Sequence, residues 1–182
     1  QWELTSPLTG SANIELEKKI PVSQILSEYR INFGMDVSRY FGDLNEISVY
    51  RCADTGYRFY HPYKITGDSD FYRHLSGFEW YYMDWKWENR VTLDLLSGDE
   101  KVLEIGSGKG AFLEKLRQKN IQCTGLELNT EQVSLAKSNG LEVLREDISD
   151  HAGKRPGHYD MICSFQVAEH IPEIGKFIED SL

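Results

Sequence analysis

Residues 101–113 constrain this chain more than any other segment, because they join a short apolar run to alternate glycines and a helical apolar pattern. Gly106, Gly108 and Gly110 permit a tight turn and bring backbone N–H groups close to a ligand. The residues after the turn have the apolar spacing of one helix face, at Ala111, Phe112, Leu113 and Leu116. The segment therefore predicts a strand, a nucleotide-binding turn and a helix.

Glu104, just before the glycines, distinguishes two classes of cofactor. Gly106, Gly108 and Ala111 also satisfy the dinucleotide pattern G-x-G-x-x-G/A, so the glycines alone do not decide. A dinucleotide-binding strand normally stays apolar at the position of Glu104, and a carboxylate there repels a pyrophosphate. The carboxylate instead favours S-adenosylmethionine, which carries an ammonium and a sulfonium and no phosphate.

From Lys101 onward the chain resembles the class I S-adenosylmethionine-dependent methyltransferases of small-molecule type, whose motif E/D-x-G-x-G-x-G stands here at residues 104–110. The resemblance implies an α/β fold with a Rossmann-like sheet of strand order 3-2-1-4 and flanking helices, and the cofactor at the switch between strands 1 and 4. Only four strand signals follow Lys101, where the family has seven strands. We therefore expect an incomplete sheet in a chain truncated at its C-terminus.

The same resemblance assigns residues to the cofactor. Glu127 ends the apolar run from Ile121 to Leu126, where the family places the acid that accepts hydrogen bonds from both ribose hydroxyls. Asp147, with the backbone of Ile148, would meet the adenine edge, and Glu146 is the alternative. Residues 158–165 resemble the fourth strand, whose end faces the cofactor and the methyl acceptor. The implied cofactor-binding residues are Glu104, Gly106, Ser107, Gly108, Gly110, Glu127, Leu128, Asp147, Ile148 and Phe165.

Residues 166–172 follow that strand and are the predicted location of the chemistry. Glu169 and His170 resemble the Glu-His pair of several small-molecule O-methyltransferases, which makes them the catalytic candidates. Two roles are open for His170: a general base near neutral pH, or a helix-cap or cofactor-packing residue. Metal-assisted relatives carry another Glu at the position of Gln166, so we predict no metal. Residues 164–167 lack the Asn/Asp-Pro-Pro-aromatic sequence typical of planar amino acceptors, which favours an oxygen acceptor.

Composition narrows the class of protein further. A hydrophobic content of 40% and a charged content of 27% predict a soluble globular chain, and no apolar run approaches a membrane span. The net charge of −9, without a dense basic cluster, disfavours nucleic acid as a partner and leaves a small-molecule acceptor. Cys52, Cys123 and Cys163 are widely spaced and predict free thiols in a reducing cytoplasm.

We place a domain boundary near Gly98, between an α+β extension of residues 1–98 and a cofactor-binding domain of residues 99–182. In the extension, the apolar pattern from Leu16 to Phe33 predicts a short helix that opens at residues 21–23. Residues 47–60 predict a hairpin that turns at residues 54–56. Cys52 alone cannot form a tetrahedral zinc site, so no metal is predicted there either.

Aromatic residues concentrate between residues 67 and 96, which resembles extensions that cover the cofactor site. Helices are predicted from Asp68 to Leu75 and from Met83 to Leu96, with Asp68, Ser69 and Asp84 as N-cap candidates. Tyr81, Tyr82 or Trp85 would contact the adenosyl group or the acceptor, and ordinary packing is the alternative. A last helix is predicted over residues 171–182, with Pro172 in its first turn and three apolar residues facing the sheet, Ile174, Phe177 and Ile178.

Three functions are compatible with these residues. The first is the cofactor-binding part of a methyltransferase that acts on a small molecule. The second is a non-catalytic module that binds S-adenosylmethionine or a partner, and the third is an NAD-dependent oxidoreductase. Glu104 argues against the third.

Overall fold

The computed structural model describes residues 4–75, 77–78 and 85–182. The chain divides into two compact units, Gln1–Tyr82 with Pro172–Gly175 and Met83–Ile171 with Lys176–Leu182. The boundary predicted near Gly98 and the covering role of residues 1–98 stay predictions. Tyr81, Tyr82 and the predicted cap Asp84 lie outside the described residues. Within the part of the chain that is described, no helix combines the length and apolarity needed to cross a membrane.

The first unit is built around a small antiparallel sheet of strand order β1-β2-β3. Its elements are β1 (Ile14–Pro21), α1 (Val22–Phe33), a 3₁₀ turn (Ser38–Tyr40), β2 (Glu46–Cys52), β3 (Arg58–His61) and α2 (Ser69–Leu75). The hairpin predicted over residues 47–60 is confirmed, because β2 and β3 pair in antiparallel register around the predicted turn. The Cys52 N–H donates to the Tyr57 carbonyl over 2.8 Å and closes that turn.

The helix predicted to open at residues 21–23 is confirmed, and a strand that was not predicted precedes it. Residues 16–21 belong to β1, and α1 begins at Val22, directly after the predicted Pro21. β1 is an edge strand in which every residue is exposed or half-buried. Its alternation of apolar and polar residues stops after Glu17, where the register with β2 shifts between Leu16 and Lys18. Pairing with β2, which is distant in sequence, stabilises it instead.

The helix predicted from Asp68 is confirmed, since Asp68 Oδ1 accepts a hydrogen bond from the Phe71 N–H over 3.0 Å at the start of α2. From residue 85 onward the elements are α3 (Trp87–Asp94), β4 (Lys101–Ile105), α4 (Ala111–Gln118), β5 (Gln122–Leu126), α5 (Thr130–Ser138), β6 (Val143–Leu144), α6 (Ile148–Lys154), β7 (Met161–Ser164), a 3₁₀ turn (Ala168–His170) and α7 (Ile174–Ser181).

The second unit contains a parallel sheet of order β6-β5-β4-β7. Counted from β4, this is the strand order 3-2-1-4, so the predicted Rossmann-like α/β topology is confirmed. The carboxyl ends of β4 and β5 lie side by side, because Ile105 pairs with Leu126. On the other side of β4, Ile105 pairs with Ser164 at the end of β7. The residues after these strands therefore meet at one edge of the sheet.

Two apolar clusters cover the two faces of this sheet, because successive strand residues point to opposite sides. The cluster around Val102 includes buried residues of α4 and α5, namely Phe112, Leu113, Leu116, Val133 and Ala136. The cluster around Leu103 includes Ile105, Leu126 and Ile148, with Phe177 packed against it. The helix predicted over residues 171–182 is therefore present as α7. Ile178 departs from its predicted position, since 41% of it is exposed.

Candidate functional site

The glycine turn after β4 adopts the backbone conformation that its sequence predicts. Gly106, Gly108 and Gly110 have φ values of 77°, 51° and 84°. A Cβ at Gly106 would overlap Val167 Cγ2, and a Cβ at Gly110 would lie 2.5 Å from Leu141 Cδ1. A Cβ at Gly108 would meet no described atom within 4 Å. Gly106 and Gly110 are therefore constrained by packing as well as by φ, whereas Gly108 is constrained by φ alone.

Three N–H groups of this turn donate to the end of β5 and to the residue that follows it. Gly106 N and Ser107 N both donate to the Leu126 carbonyl, over 2.8 and 3.0 Å. Gly108 N donates to Glu127 Oε2 over 2.9 Å. For Gly106, Ser107 and Gly108 the expectation that the N–H groups face a ligand is wrong, because the protein itself accepts these three hydrogen bonds. Their role is to attach the turn to the end of β5.

Glu127 is positioned by backbone groups on both of its oxygens. Besides the bond from Gly108, Oε1 accepts a hydrogen bond from Asn129 N over 2.7 Å. Asn129 is itself the N-cap of α5, where its side chain accepts from the N–H groups of Glu131 and Gln132. A carboxylate has about four lone-pair sites, so each oxygen retains acceptor capacity for a further donor. The half-buried carboxylate is therefore fixed in place and still able to bind a diol.

Glu104 is buried inside the sheet, with 5% of the residue exposed. It lies between Gly125 of β5 and Cys163 of β7 in the strand register. Its Oε2 atom has no hydrogen-bond partner among the described residues. Burial, followed by the negative charge of Glu127, raises the pKa of Glu104 well above its ordinary value. Such an unpaired buried oxygen is costly unless a ligand satisfies it.

Sequence reasoning missed Gly125, which shapes the same region. A Cβ there would overlap Ser107 Oγ and lie 2.7 Å from Leu113 Cδ1. The signal was available, because an isolated glycine inside a strand often marks a close approach of another group. Ser107 Oγ is also buried without a partner among the described residues, as is Ser164 Oγ at the end of β7. Ser164 had no motif to identify it.

Asp147 and Glu146, the two candidates for the adenine edge, have different surroundings. Asp147 is exposed and caps α6, where its Oδ1 accepts from Asp150 N over 2.8 Å. Glu146 Oε2 lies 3.0 Å from His151 Nδ1, and its Oε1 lies 3.0 Å from Lys154 Nζ. These partners lower the pKa of Glu146, His151 first. The Glu146 carboxylate is therefore committed within α6 and its neighbours, which favours Asp147 for a ligand.

His151 is the buried centre of this neighbourhood and was not singled out from the sequence. Only 2% of it is exposed, and its second ring nitrogen, Nε2, lies 2.9 Å from the Tyr159 hydroxyl. Ile148, at the start of the same helix, has its side chain in the apolar cluster around Leu103. Its predicted contact with adenine therefore involves only the backbone.

The other two predicted cofactor contacts differ in exposure. Leu128 directly follows Glu127 and is 63% exposed, which suits a residue that covers a ligand. Phe165 packs edge-to-face on Phe112, with ring centroids 5.0 Å apart and planes at 76°. Phe165 thus belongs partly to the core beside α4. Trp85 also packs against that cluster, in line with the ordinary-packing alternative.

The predicted catalytic segment follows β7 and contacts the glycine turn through Val167. Glu169 and His170 lie in an exposed 3₁₀ turn (Ala168–His170). Gln166 has a left-handed backbone, with φ of 56°, and its Nε2 lies 3.4 Å from Glu88 Oε1. The described residues contain no group of three or more His, Cys, Asp or Glu arranged to hold a metal ion. The roles of Glu169 and His170 stay predictions.

A cleft of about 410 Å³ lies at the opposite edge of the sheet, near the amino ends of its strands. Basic residues among its lining are Lys101, Arg117, Arg155 and His158. None of the predicted site residues lines it. Because ligands of open α/β sheets bind at the carboxyl ends of the strands, we assign the site to the edge that carries Glu104 and Glu127.

Comparisons with known proteins identify the family to which this chain belongs. A family model described as "Methyltransferase domain" matches residues 80–181, more than half of the chain. A ubiquinone biosynthesis O-methyltransferase of Yersinia enterocolitica is 32% identical over 86 residues, which cover 44% of this chain and 36% of that protein. A homologue of the same description from Yersinia pseudotuberculosis is 31% identical over 81 residues, or 41% of this chain and 34% of that protein.

Among solved structures, a SAM-dependent methyltransferase from Archaeoglobus fulgidus superposes with a TM-score of 0.38 and 24% identity, covering 41% of this chain and 34% of that one. The chain spans about a third of the length of the curated relatives it matches. The chain belongs to the methyltransferase-domain family. Its resemblance to the class I methyltransferases is thereby confirmed.

Proposed function

We propose that this chain is the cofactor-binding part of an S-adenosylmethionine-dependent methyltransferase that acts on an oxygen of a small molecule. The observation that carries the proposal is a pair of carboxylates at the ends of adjacent strands. Glu104 is buried with an unpartnered oxygen, and Glu127 is held by two backbone N–H groups. The bound cofactor would supply a methyl group activated on a sulfonium.

The residues present fit that cofactor chemically. The unpartnered Oε2 of Glu104 is suited to the positive charge of the ammonium. The oxygens of Glu127 are fixed by Gly108 and Asn129 and retain capacity for the ribose hydroxyls. Exposed Asp147 is available for the adenine edge, and exposed Leu128 would cover it. These groups bind and orient the ligand, which is the main task in an in-line displacement.

A dinucleotide fits the same residues poorly. In a dinucleotide site the backbone of the glycine turn approaches the pyrophosphate, whereas here the N–H groups of Gly106, Ser107 and Gly108 donate to Leu126 and Glu127. The negative charge of Glu127 would also lie next to a phosphate and repel it. The oxidoreductase alternative is therefore disfavoured on two independent grounds.

An oxygen acceptor is supported by the relatives, which are named as O-methyltransferases, and by the absence of the planar-amine motif from residues 164–167. We propose that His170 removes the acceptor's proton and that Glu169 assists it. Both lie in the exposed turn that follows β7. The net charge of −9 supports a small-molecule acceptor over nucleic acid, and the free thiols support a cytoplasmic location. We further propose that residues 1–98 cover the bound ligands.

Titration of the 182-residue chain with S-adenosylhomocysteine by calorimetry tests the proposal, with NAD as the comparison ligand. Micromolar binding of S-adenosylhomocysteine, lost in Glu127→Ala and absent for NAD, is the expected result. Binding of NAD in its place would overturn the cofactor assignment. Methyl transfer from labelled S-adenosylmethionine is then measured with hydroxylated small molecules and their matched amines. Cofactor binding without any transfer would favour the non-catalytic module.

A further inference from the structure

Glu104 has surroundings that no other carboxyl of the proposed site shares. It is 5% exposed and has an oxygen without a hydrogen-bond partner, whereas Glu127 is half-buried and accepts two backbone bonds. No Lys, Arg or His of the described residues forms an ion pair with Glu104. A lone carboxylate in such a place has lost its hydration and gained no compensating partner.

The titratable groups that interact with Glu104 are Glu127, just beyond β5, Cys123 on β5 and Cys163 on β7. The charge of Glu127 opposes the ionisation of Glu104, whereas burial raises the pKa of both thiols and keeps them neutral. Gly125, its neighbour on β5, carries no charge. Burial and the charge of Glu127 both raise the pKa of Glu104. The free site therefore favours the neutral carboxylic acid.

We propose that Glu104 is a proton-exchanging specificity residue, neutral in the free protein and ionised when the ammonium of an S-adenosyl amino acid binds beside it. The inference rests on the proposed function. On binding, the O–H bond of the Glu104 carboxyl breaks, its electron pair stays on the carboxylate, and the proton leaves to buffer. The carboxylate then pairs with the ammonium, which keeps all of its protons.

This exchange gives the site a charge-dependent selectivity. A ligand with an ammonium gains a charge-assisted interaction only after the carboxyl has lost its proton. An adenosyl ligand without an ammonium leaves Glu104 neutral and gains nothing there. Because binding releases a proton, the affinity for S-adenosylhomocysteine must rise with pH, by up to about tenfold per pH unit. The rise ends when the pH exceeds the pKa that Glu104 has in the ligand-free protein. The affinity for 5′-methylthioadenosine, which lacks the amino-acid part, stays independent of this group.

Calorimetry in two buffers of different ionisation enthalpy measures the protons released per ligand bound. At neutral pH we expect release of up to one proton with S-adenosylhomocysteine and none with 5′-methylthioadenosine. In Glu104→Gln, S-adenosylhomocysteine binds more weakly and releases none. Glu142→Gln, an exposed acid on the same unit, serves as the matched control and should release protons as the unmodified chain does.

Each outcome separates this inference from the proposed function. S-adenosylhomocysteine binding without proton release overturns the inference and leaves the cofactor assignment intact. Release that persists in Glu104→Gln also overturns it, because the proton then comes from another group. If Glu104→Gln fails to fold, equal proton release with 5′-methylthioadenosine in the unmodified chain still overturns it. Failure of every adenosyl ligand to bind overturns the proposed function, and the inference with it.

Discussion

The Gly108 N–H donates to Glu127 Oε2 over 2.9 Å, so the turn after β4 positions the acid that follows β5. Two sequence features that appear separate, a glycine turn and a distant acid, therefore act as one unit. A second bond, from Asn129 N to Glu127 Oε1, attaches the acid to the start of α5. In this chain the glycine turn positions a carboxylate. In a dinucleotide site the same sequence pattern instead exposes its N–H groups to a phosphate.

Glu127→Gln tests this arrangement without removing the side chain. The glutamine amide has one acceptor oxygen, which can accept from either Gly108 N or Asn129 N. Its NH₂ group then faces the other backbone N–H, and because both are donors, one backbone hydrogen bond is lost. Because bonds to charged groups are worth about 1.5–3 kcal/mol, we expect S-adenosylhomocysteine to bind about 10–100-fold more weakly. Calorimetric titration measures the change. Glu131→Gln, an exposed acid in the first turn of α5, is the control. Unchanged affinity in Glu127→Gln would contradict the ribose-binding role.

Alanine at Gly106 and at Gly108 should differ in effect. Both positions have positive φ, which costs a non-glycine residue about 1–2 kcal/mol. At Gly106 the new Cβ also overlaps Val167 Cγ2, and overpacking typically adds about 1–3 kcal/mol. At Gly108 the described residues leave the position open. Urea denaturation should therefore show the larger loss of unfolding free energy for Gly106→Ala. Equal losses would mean that Val167 moves aside freely.

The sheet was predictable because its local patterns agree with its topology. β4, the glycine turn and α4 are contiguous in sequence. The strand is a short apolar run, the turn is marked by its glycines, and the helix has apolar residues along one face. β1 was not predictable in the same way. It is exposed on most residues, and its stability comes from pairing with a strand far away in sequence. The helix predicted to open at residues 21–23 begins at Val22, but nothing local indicated the strand that precedes it.

The candidate site residues could be predicted from their residue types and positions. The contacts that each of them makes in the folded chain could not. The resemblance identified Glu104 and Glu127 by position, but their different burial depends on strand register. The N–H groups of the turn were assigned to a ligand because nothing local shows that Leu126 accepts them. Glu146 and Asp147 are adjacent and chemically similar. Contacts made in the folded chain separate them, since His151 and Lys154 bind Glu146, whereas Asp147 caps α6.

Glu104→Gln should change how the stability of the chain depends on pH. The pKa of Glu104 is raised in the folded state, so its favourable contribution is present below the unfolded pKa and is lost as pH rises through the folded pKa. We therefore expect Glu104→Gln to gain stability relative to the unmodified chain as pH rises above about 4.3, by about 1.4 kcal/mol for each unit of pKa elevation. Urea denaturation at pH 5 and pH 8 measures the difference. A difference independent of pH would show that Glu104 ionises normally in the folded chain.

His151→Ala should destabilise the second unit more than Tyr159→Phe. His151 is 2% exposed and bonds Glu146 through Nδ1 and Tyr159 through Nε2, so its removal leaves a cavity and breaks both bonds. Buried cavities and unsatisfied polar groups together predict a loss of about 3–5 kcal/mol, against about 1 kcal/mol for the single bond lost in Tyr159→Phe. Urea denaturation of both variants checks this order.

The pKa of Glu146 can also be measured in these two variants, and a general loss of packing would not change it. His151 is the main cause of the lowered pKa of Glu146, and Lys154 contributes less. The pKa of Glu146, followed by NMR of its side-chain carboxyl, should therefore rise toward its ordinary value in His151→Ala. It should stay lowered in Tyr159→Phe, because the bond between His151 Nδ1 and Glu146 remains. An unchanged pKa in folded His151→Ala would mean that Lys154 alone holds the carboxylate and that His151 only fills space beneath α6.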